Sequence, residues 1–255
     1  MTAEKAGAIM GGRGGASGFP TNAPIVPTEP QSAAETKDLQ SLKKYMSSIG
    51  VDIDETSLTG QTFENVRNAA AGIEGVMKEF PQAADYFRVL RGDDLKKGVM
   101  ACASSSGVIT LANHYFGMDE QGFEQRYDRS LNNGFHPAGT NKDHVAVHEA
   151  GHVLERALIF KAIPGSDYWD RLERSKAWNT SKLASRVVSE ACRQAKKTPE
   201  GKGQKNDELI RNVSGYATKN RSETLAECVA DYTANGRNAK PLSVAVWNVL
   251  KRELG

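Results

Sequence analysis

All five histidines of the chain, His114, His136, His144, His148 and His152, fall within residues 114–152. Inside that cluster stands His148-Glu149-Ala150-Gly151-His152. Residues i and i+4 of a helix lie nearly one above the other, about 6 Å apart. Two imidazoles so placed can share one tetrahedral Zn²⁺ through bonds of about 2.0–2.1 Å. Glu149, about 100° round from His148, can reach a metal-held water without being a ligand itself. A chance HExxH is expected roughly 0.007 times in a shuffled chain of this composition. The competing reading is an ordinary helix with two exposed histidines.

Two histidines under-coordinate a catalytic zinc, so a third ligand is required. The metzincin pattern would place Gly and His where this chain has Glu155 and Leu158, and is excluded. His144 lies on the same helical stripe, but its ring would sit about 11–12 Å from that of His152, too far to share an ion. It reads as a helix-entry histidine, exposed or hydrogen-bonded. His136 reads as a loop histidine before Pro137 that could line a cleft. Downstream, Glu223, Glu227 and Asp231 repeat every four residues, with Leu225, Val229 and Tyr232 on the other face. Alone, that stripe would be a solvated acidic face. Opposite a zinc-bearing histidine pair, one carboxylate can ligate and another can accept a hydrogen bond from a ligand histidine.

Together, HEAGH and the run from Ser214 to Glu227, SGYATKNRSETLAE, resemble the zinc metallopeptidases of the anthrax lethal factor and Pro-Pro endopeptidase group. The second motif of that group runs roughly S-Y-x-x-x-N-x-x-E-x-F-A-E. Leu225 replaces its usual Phe, and Cys228 stands where a small residue is common. The likeness covers roughly residues 50–235. It implies a zincin-like, gluzincin-like fold with His148, His152 and Glu223 as ligands of one Zn²⁺ per chain. It further implies Glu149 as general base, Tyr216 as an active-site tyrosine and Glu227 as the partner of a ligand histidine. The stretch from Asn133 to Thr140, NGFHPAGT, also resembles such domains encoded by phages and mobile elements, some attached to minor head proteins. The implied chemistry is peptide hydrolysis. The ion acidifies water and polarises the carbonyl, Glu149 shuttles the proton, and Tyr216 donates to the oxyanion. The strand-like Gly107–His114 run is expected to be the sheet edge along which an extended peptide adds.

The elements that must position these groups follow from pattern. Leu39, Leu42, Tyr45 and Met46 predict a helix stopped by Gly50, and Phe63 to Phe80 a second one ended by Pro81. Val51–Asp54 reads as a short strand, and Tyr86–Leu90 as a strand or helix end. Gly98–Ala103 and Gly107–His114 read as adjacent strands joined at Ser104-Ser105-Ser106. Lys142 to about Ile163 is predicted as the HExxH helix, with Thr140 or Asn141 as N-cap. Further helices are predicted within 169–191, over Ser222–Asn235 and over Leu242–Leu254, with a polar, basic loop from Lys196 to Asp207. The fold class is α+β, with a small mixed or antiparallel sheet and the HExxH helix in residues 36–163 and a helical half in 164–255. Residues 1–35, rich in Gly and Pro, read as a disordered leader.

Composition excludes little else. The chain has 255 residues, 33 Lys+Arg and 31 Asp+Glu, so net charge offers no case for nucleic acid. No apolar run approaches the roughly 20 residues of a membrane span. Three scattered cysteines, Cys102, Cys192 and Cys228, form neither a disulfide framework nor a CxxC site and read as buried thiols. No secretory signal is visible, and a cytoplasmic or virion-associated protein is expected. The expected partner is a protein or peptide substrate, with a phage head or other assembly partner as an addition. The competing functions are a phage-particle structural or interaction protein with little proteolysis, and a purely structural zinc site, which is disfavoured because no cysteine lies near the motif.

Overall fold

The computed structural model describes residues 29–255. Asp38 caps α1 (Leu39–Ser48) by accepting from the Ser41 amide, while the Ser41 side chain accepts from the Asp38 backbone. Strand β1 (Asp52–Ile53) leads to α2 (Phe63–Glu79), β2 (Val89–Asp93), β3 (Ala101–Ala103) and β4 (Val108–Ala112). The short α3 (Asn113–Phe116) and then α4 (Glu120–Asn132) precede the HExxH helix, α5 (His144–Ala162). The remainder is helical: α6 (Tyr168–Asn179), α7 (Lys182–Ala195), α8 (Asn206–Val213), α9 (Arg221–Asn235) and α10 (Pro241–Leu254). The chain is a mostly helical α+β protein with a small mixed sheet in its N-terminal part and a helical C-terminal half.

The sheet order is β1–β2–β4–β3, with β1, β2 and β4 parallel and β3 antiparallel to β4. This corrects the expectation that Gly107–His114 forms the cleft-lining edge. Its strand, β4, is bonded on both sides, and Asn113 onward turns into α3. The side chains give the reason: Ile109, Thr110, Leu111 and Ala112 are all buried, so β4 is covered on both faces. The edge strands are β1 and β3, and Cys102 of β3 is exposed, against the expectation of a buried thiol; Cys192 and Cys228 are buried.

Helix α5 is the central element. It packs on α2, on β3 and β4, and on α9 and α10. It begins at His144, later than predicted, because neither Thr140 nor Asn141 caps it. Thr140 instead bonds Tyr127, and the Asn141 side chain accepts from the Asp143 amide. Two glycines permit the close approaches. A Cβ at Gly72 of α2 would lie 2.9 Å from Val147 Cγ2, and one at Gly151 would lie 2.7 Å from Ala226 Cα on α9. The α5–α9 crossing therefore has no room for a methyl group. Gly75, in contrast, is exposed on α2 with nothing within 4 Å of an added Cβ.

The fold also reaches further towards the N-terminus than the composition suggests. Residues 33–35 form a 3₁₀ turn, and Ala33 and Thr36 are buried. The expected leader boundary at residue 35 thus falls inside a packed segment; the rest of that leader, 1–28, lies outside the described residues. The anchor is the buried Glu74 of α2. Its carboxylate accepts from the Ala33 amide at 2.8 Å and from the Tyr45 hydroxyl at 2.6 Å, and pairs with Lys78. Burial alone would raise the Glu74 pKa, but these partners hold it below its ordinary value of 4.5.

Two outcomes are expected. Gly151→Ala should destabilise the protein by about 1–3 kcal/mol through overpacking, whereas Gly75→Ala should stabilise it by up to about 1 kcal/mol through helix propensity; denaturant titration distinguishes the signs. Glu74→Ala should cost about 2–3 kcal/mol at pH 7, the scale of hydrogen bonds to a charged group. A depressed carboxylate pKa stabilises above its unfolded value and ceases to as pH falls through the folded one. The gap between Glu74→Ala and wild type should therefore shrink below the ordinary value of 4.5, as measured by denaturation at stepwise lower pH.

Candidate metal centre

The close crossing of α5 and α9 brings the two motifs face to face. Asn220 caps α9 by accepting from the Glu223 amide at 3.0 Å, which places Glu223 in the first turn. His148 Nε2 lies 3.1 Å and His152 Nε2 3.3 Å from the same oxygen, Glu223 Oε2. Donors bonded at about 2.0–2.1 Å to a tetrahedral centre stand about 3.3 Å from one another. The two measured separations are close to that edge length. The three residues offer ligand atoms that all lie within 4.8 Å of one another, a group that could hold a metal ion. Their side chains are 11–13% exposed, so the group is open to solvent on one side.

Each ligand atom is aimed by a further contact. His148 Nδ1 donates to Glu227 Oε1 at 2.7 Å, which leaves Nε2 for the centre. Glu227 Oε2 accepts from Ser214 Oγ at 2.6 Å, and Ser214 Oγ accepts from the Ala217 amide at 3.0 Å. His152 Nδ1 donates to Ser222 Oγ at 2.9 Å, and Ser222 donates onward to Glu155. Glu223 Oε1 accepts from Tyr216 at 3.2 Å and from Lys219 at 3.1 Å, so Oε2 is the oxygen left facing the histidines. Lys219 also donates to the Tyr216 hydroxyl at 2.9 Å.

The charges at this point favour a cation. Burial would lower the His148 pKa, but Glu223 and Glu227 push it up to about 10. Burial would raise both carboxylates. His136, His148 and Ser214 nevertheless hold Glu227 down to about 2, and the two histidines hold Glu223 well below the carboxylate range. Without a metal the cation is the His148 proton, which an ion must displace because a ligand imidazole is neutral. Burial pushes the Tyr216 phenol up against the pull of Lys219, which keeps it a donor. Burial likewise raises Glu155, whose Oε1 has no partner.

A cleft of about 610 Å³ opens onto His148, Glu149 and Tyr216. One wall is the segment from Gly98 into β3, and another is α4 with Phe135 and His136. Glu149 is 6% exposed and makes no side-chain hydrogen bond among the described residues. The loop that carries Phe135 is built on the turn that carries Tyr216: Gly215 N bonds Gly134 O at 2.7 Å, Tyr216 N bonds Phe135 O at 3.0 Å, and the two rings stand 4.9 Å apart.

The structure thus brings together His148, Glu149, His152, Tyr216, Glu223 and Glu227. It does not bring in Asp231, which accepts from the Lys240 amide and from Asn235. His136 lines the cleft, stacked on Tyr127 with its Nδ1 4.0 Å from Glu227. His144 bonds Asn141 at the cleft's outer part, and His114 lies against Tyr115. Ser214, Lys219, Ser222 and Glu155 were missed as contributors. Ser214 and Ser222 stand inside the second motif, and Glu155 lies one helical turn beyond His152, so adjacency to the ligands was the available signal.

Comparison of the chain with protein-family models, with curated proteins and with solved structures finds no match in any of the three. The family resemblance of the two motifs is therefore carried by their residues alone. Among the described residues, no helix is long and apolar enough to cross a membrane.

Ligand and cap separate cleanly by mutation. Glu223→Ala should weaken Zn²⁺ binding by at least about 100-fold, beyond the 10–100-fold typical of residues that only orient a ligand. Asp231→Ala should lower thermal stability while leaving Zn²⁺ affinity close to wild type. Equilibrium dialysis with a competing chelator reads both; equal retention in the two variants would refute the assignment of Glu223.

Proposed function

We propose that this chain is a zinc-dependent endopeptidase of zincin-like, gluzincin-like type. The supporting observation is that His148 Nε2 and His152 Nε2 lie 3.1 and 3.3 Å from the same oxygen, Glu223 Oε2, in a group that could hold a metal ion. Beside it stands Glu149, a nearly buried carboxylate with no hydrogen bond of its own, on the wall of an open cleft. A His₂Glu donor set that leaves a fourth position open is the arrangement of a catalytic zinc rather than a structural one. Zinc held there would polarise a peptide carbonyl and lower the pKa of water towards ~7.

The remaining steps belong to the chain's own residues. Glu149 accepts the proton of the attacking water and delivers it to the leaving amine. Tyr216, kept protonated, turns its one hydroxyl proton from Glu223 Oε1 to the oxyanion that forms from the carbonyl. Glu227 and the Ser222–Glu155 pair hold the two imidazoles in the orientation that presents Nε2. The outer edge of β3, at the cleft wall, offers backbone groups to an extended peptide, which is the role expected of Gly107–His114 and here assigned to Ala101–Ala103.

A second reading, an assembly role beside or instead of proteolysis, draws on one observation. Tyr168, Trp169 and Leu172 of α6 are 62%, 69% and 46% exposed, an apolar face away from the cleft that a particle or partner protein could cover.

The peptidase reading is tested with Glu149→Gln. Metal analysis should find one zinc per chain in both proteins, while cleavage of a mixed peptide library falls by about 10²–10⁴-fold in the variant. Equal cleavage by the two would overturn the role of Glu149, and absence of cleavage by zinc-loaded wild type would overturn the reading.

A further inference from the structure

The cleft wall furnished by α4 carries a feature that the hydrolytic chemistry does not use. The charges of α4 are sorted by face. Glu120, Glu124 and Asp128 recur every four residues, and Glu120 stands 3.5 Å from Lys142 at the entry to α5. Arg126 and Arg129 lie one turn apart on the opposite stripe, with Ser130 and Asn133, and that stripe lines the cleft. Among the described residues neither arginine makes a hydrogen bond or an ion pair; Arg126 only stands over the Tyr115 ring at 6.0 Å. Among the described residues, the carboxylates lining the same cleft are Glu149 and Glu227, both at the candidate metal centre. The α4 wall of the cleft therefore presents two guanidiniums that form no ion pair among the described residues.

Apolar surface accompanies this charge. Val99 and Phe135 are 37% and 43% exposed, and both line the cleft. Guanidinium groups bind carboxylates through two parallel hydrogen bonds, and both arginines are exposed and so reachable by a peptide in the cleft. We infer that the cleft selects acidic peptides: a segment with Asp or Glu side chains that meet Arg126 and Arg129, and apolar side chains that rest on Val99 and Phe135. This inference rests on the peptidase reading of the same site and names its substrate class.

The test uses two labelled decapeptide pools of identical random composition, one with Glu where the other has Gln. Zinc-loaded wild type and the double variant Arg126→Gln/Arg129→Gln are compared for cleavage rate. Zinc content and thermal midpoint serve as the check on folding. Wild type should cleave the Glu pool about two- to thirty-fold faster than the Gln pool, the range that two exposed ion pairs supply. The ratio should fall towards one in the double variant, and Arg126→Lys/Arg129→Lys should recover part of it. In wild type itself the ratio should drop as salt is raised to about 0.5 M, where charge pairing at this exposure is screened. An unchanged ratio in the double variant, or a preference for the Gln pool, would overturn the inference while leaving the peptidase reading intact. A second arm measures binding of the same pools to zinc-loaded Glu149→Gln by fluorescence anisotropy, with and without the arginine changes. If wild type cleaves neither pool but this protein holds the Glu pool more tightly in an arginine-dependent way, the peptidase reading fails and the acidic selectivity stands. If binding shows no such preference, the inference fails as well.

Discussion

The site depends on one close crossing. Helices α5 and α9 meet at Gly151 and Ala226, where no methyl group fits, and the separation of their axes is therefore set by backbone rather than by adaptable side chains. The consequence is geometric. His148 and His152 are a turn apart on one helix, Glu223 and Glu227 a turn apart on the other, and the two pairs interlock. His148 bridges both carboxylates, and Glu223 faces both imidazoles. A shift of α9 by even about an ångström would break the common focus of three donor atoms, which metal geometry tolerates to only about 0.2 Å. The glycine in the middle of the HEAGH motif is thus part of the site although it carries no chemistry.

Such an arrangement places many carboxylates out of water, and each is accounted for differently. Glu149, Glu155, Glu223, Glu227 and Asp231 are all at most 8% exposed. Burying an ionised carboxylate without partners is costly, and four of the five have a partner. Glu223 and Glu227 are neutralised by histidine, and Asp231 by the start of α10, where it accepts from the Lys240 amide. Glu155 receives only Ser222 and rises in pKa. Glu149 alone faces the cleft without a hydrogen bond. The group left without a partner in the folded chain is the one whose proposed task is to take up a proton, and the others form the frame that keeps it there.

The legible parts were those carried by short-range spacing. The i, i+4 histidines, the apolar stripe of α5 and the four-residue repeat of Glu223, Glu227 and Asp231 all act within one helix, so a pattern along the chain is a pattern in space. Even there, spacing could not say which acid faces the histidines. The family likeness singled out Glu223, and the structure explains the difference through Asp231, which is drawn off by Lys240 nine residues later. Helix α4 escaped notice because only Phe123, Tyr127 and Leu131 mark its apolar face amid strongly polar residues. The edge strand was misassigned because order within a sheet depends on long-range pairing. Val108–Ala112 has better β-type side chains than Ala101–Ala103, and that is a property of a central strand as much as of an edge. The Ser222–Glu155 contact lay beyond reach for the same reason, since it joins residues on two different helices.

Long-range pairing also explains how Tyr216 comes to the site. The tyrosine sits on a 3₁₀ turn between α8 and α9, an element with little rigidity of its own. Three constraints from elsewhere in the chain hold it. Ser214 ties the turn to Glu227, Thr224 bonds Ala217 O from within α9, and the Gly134–Phe135 backbone pairs with Gly215 and Tyr216. The first two are anchored in α9, the helix that supplies Glu223, so the tyrosine and that carboxylate are tied to the same element. The third joins the turn to the loop that carries Phe135 and His136 on the cleft wall. The placement of Tyr216 and its contact with Glu223 are therefore set by the same contacts, and a change in the Asn133–Thr140 loop would be felt at Glu223 through Tyr216 without touching either histidine.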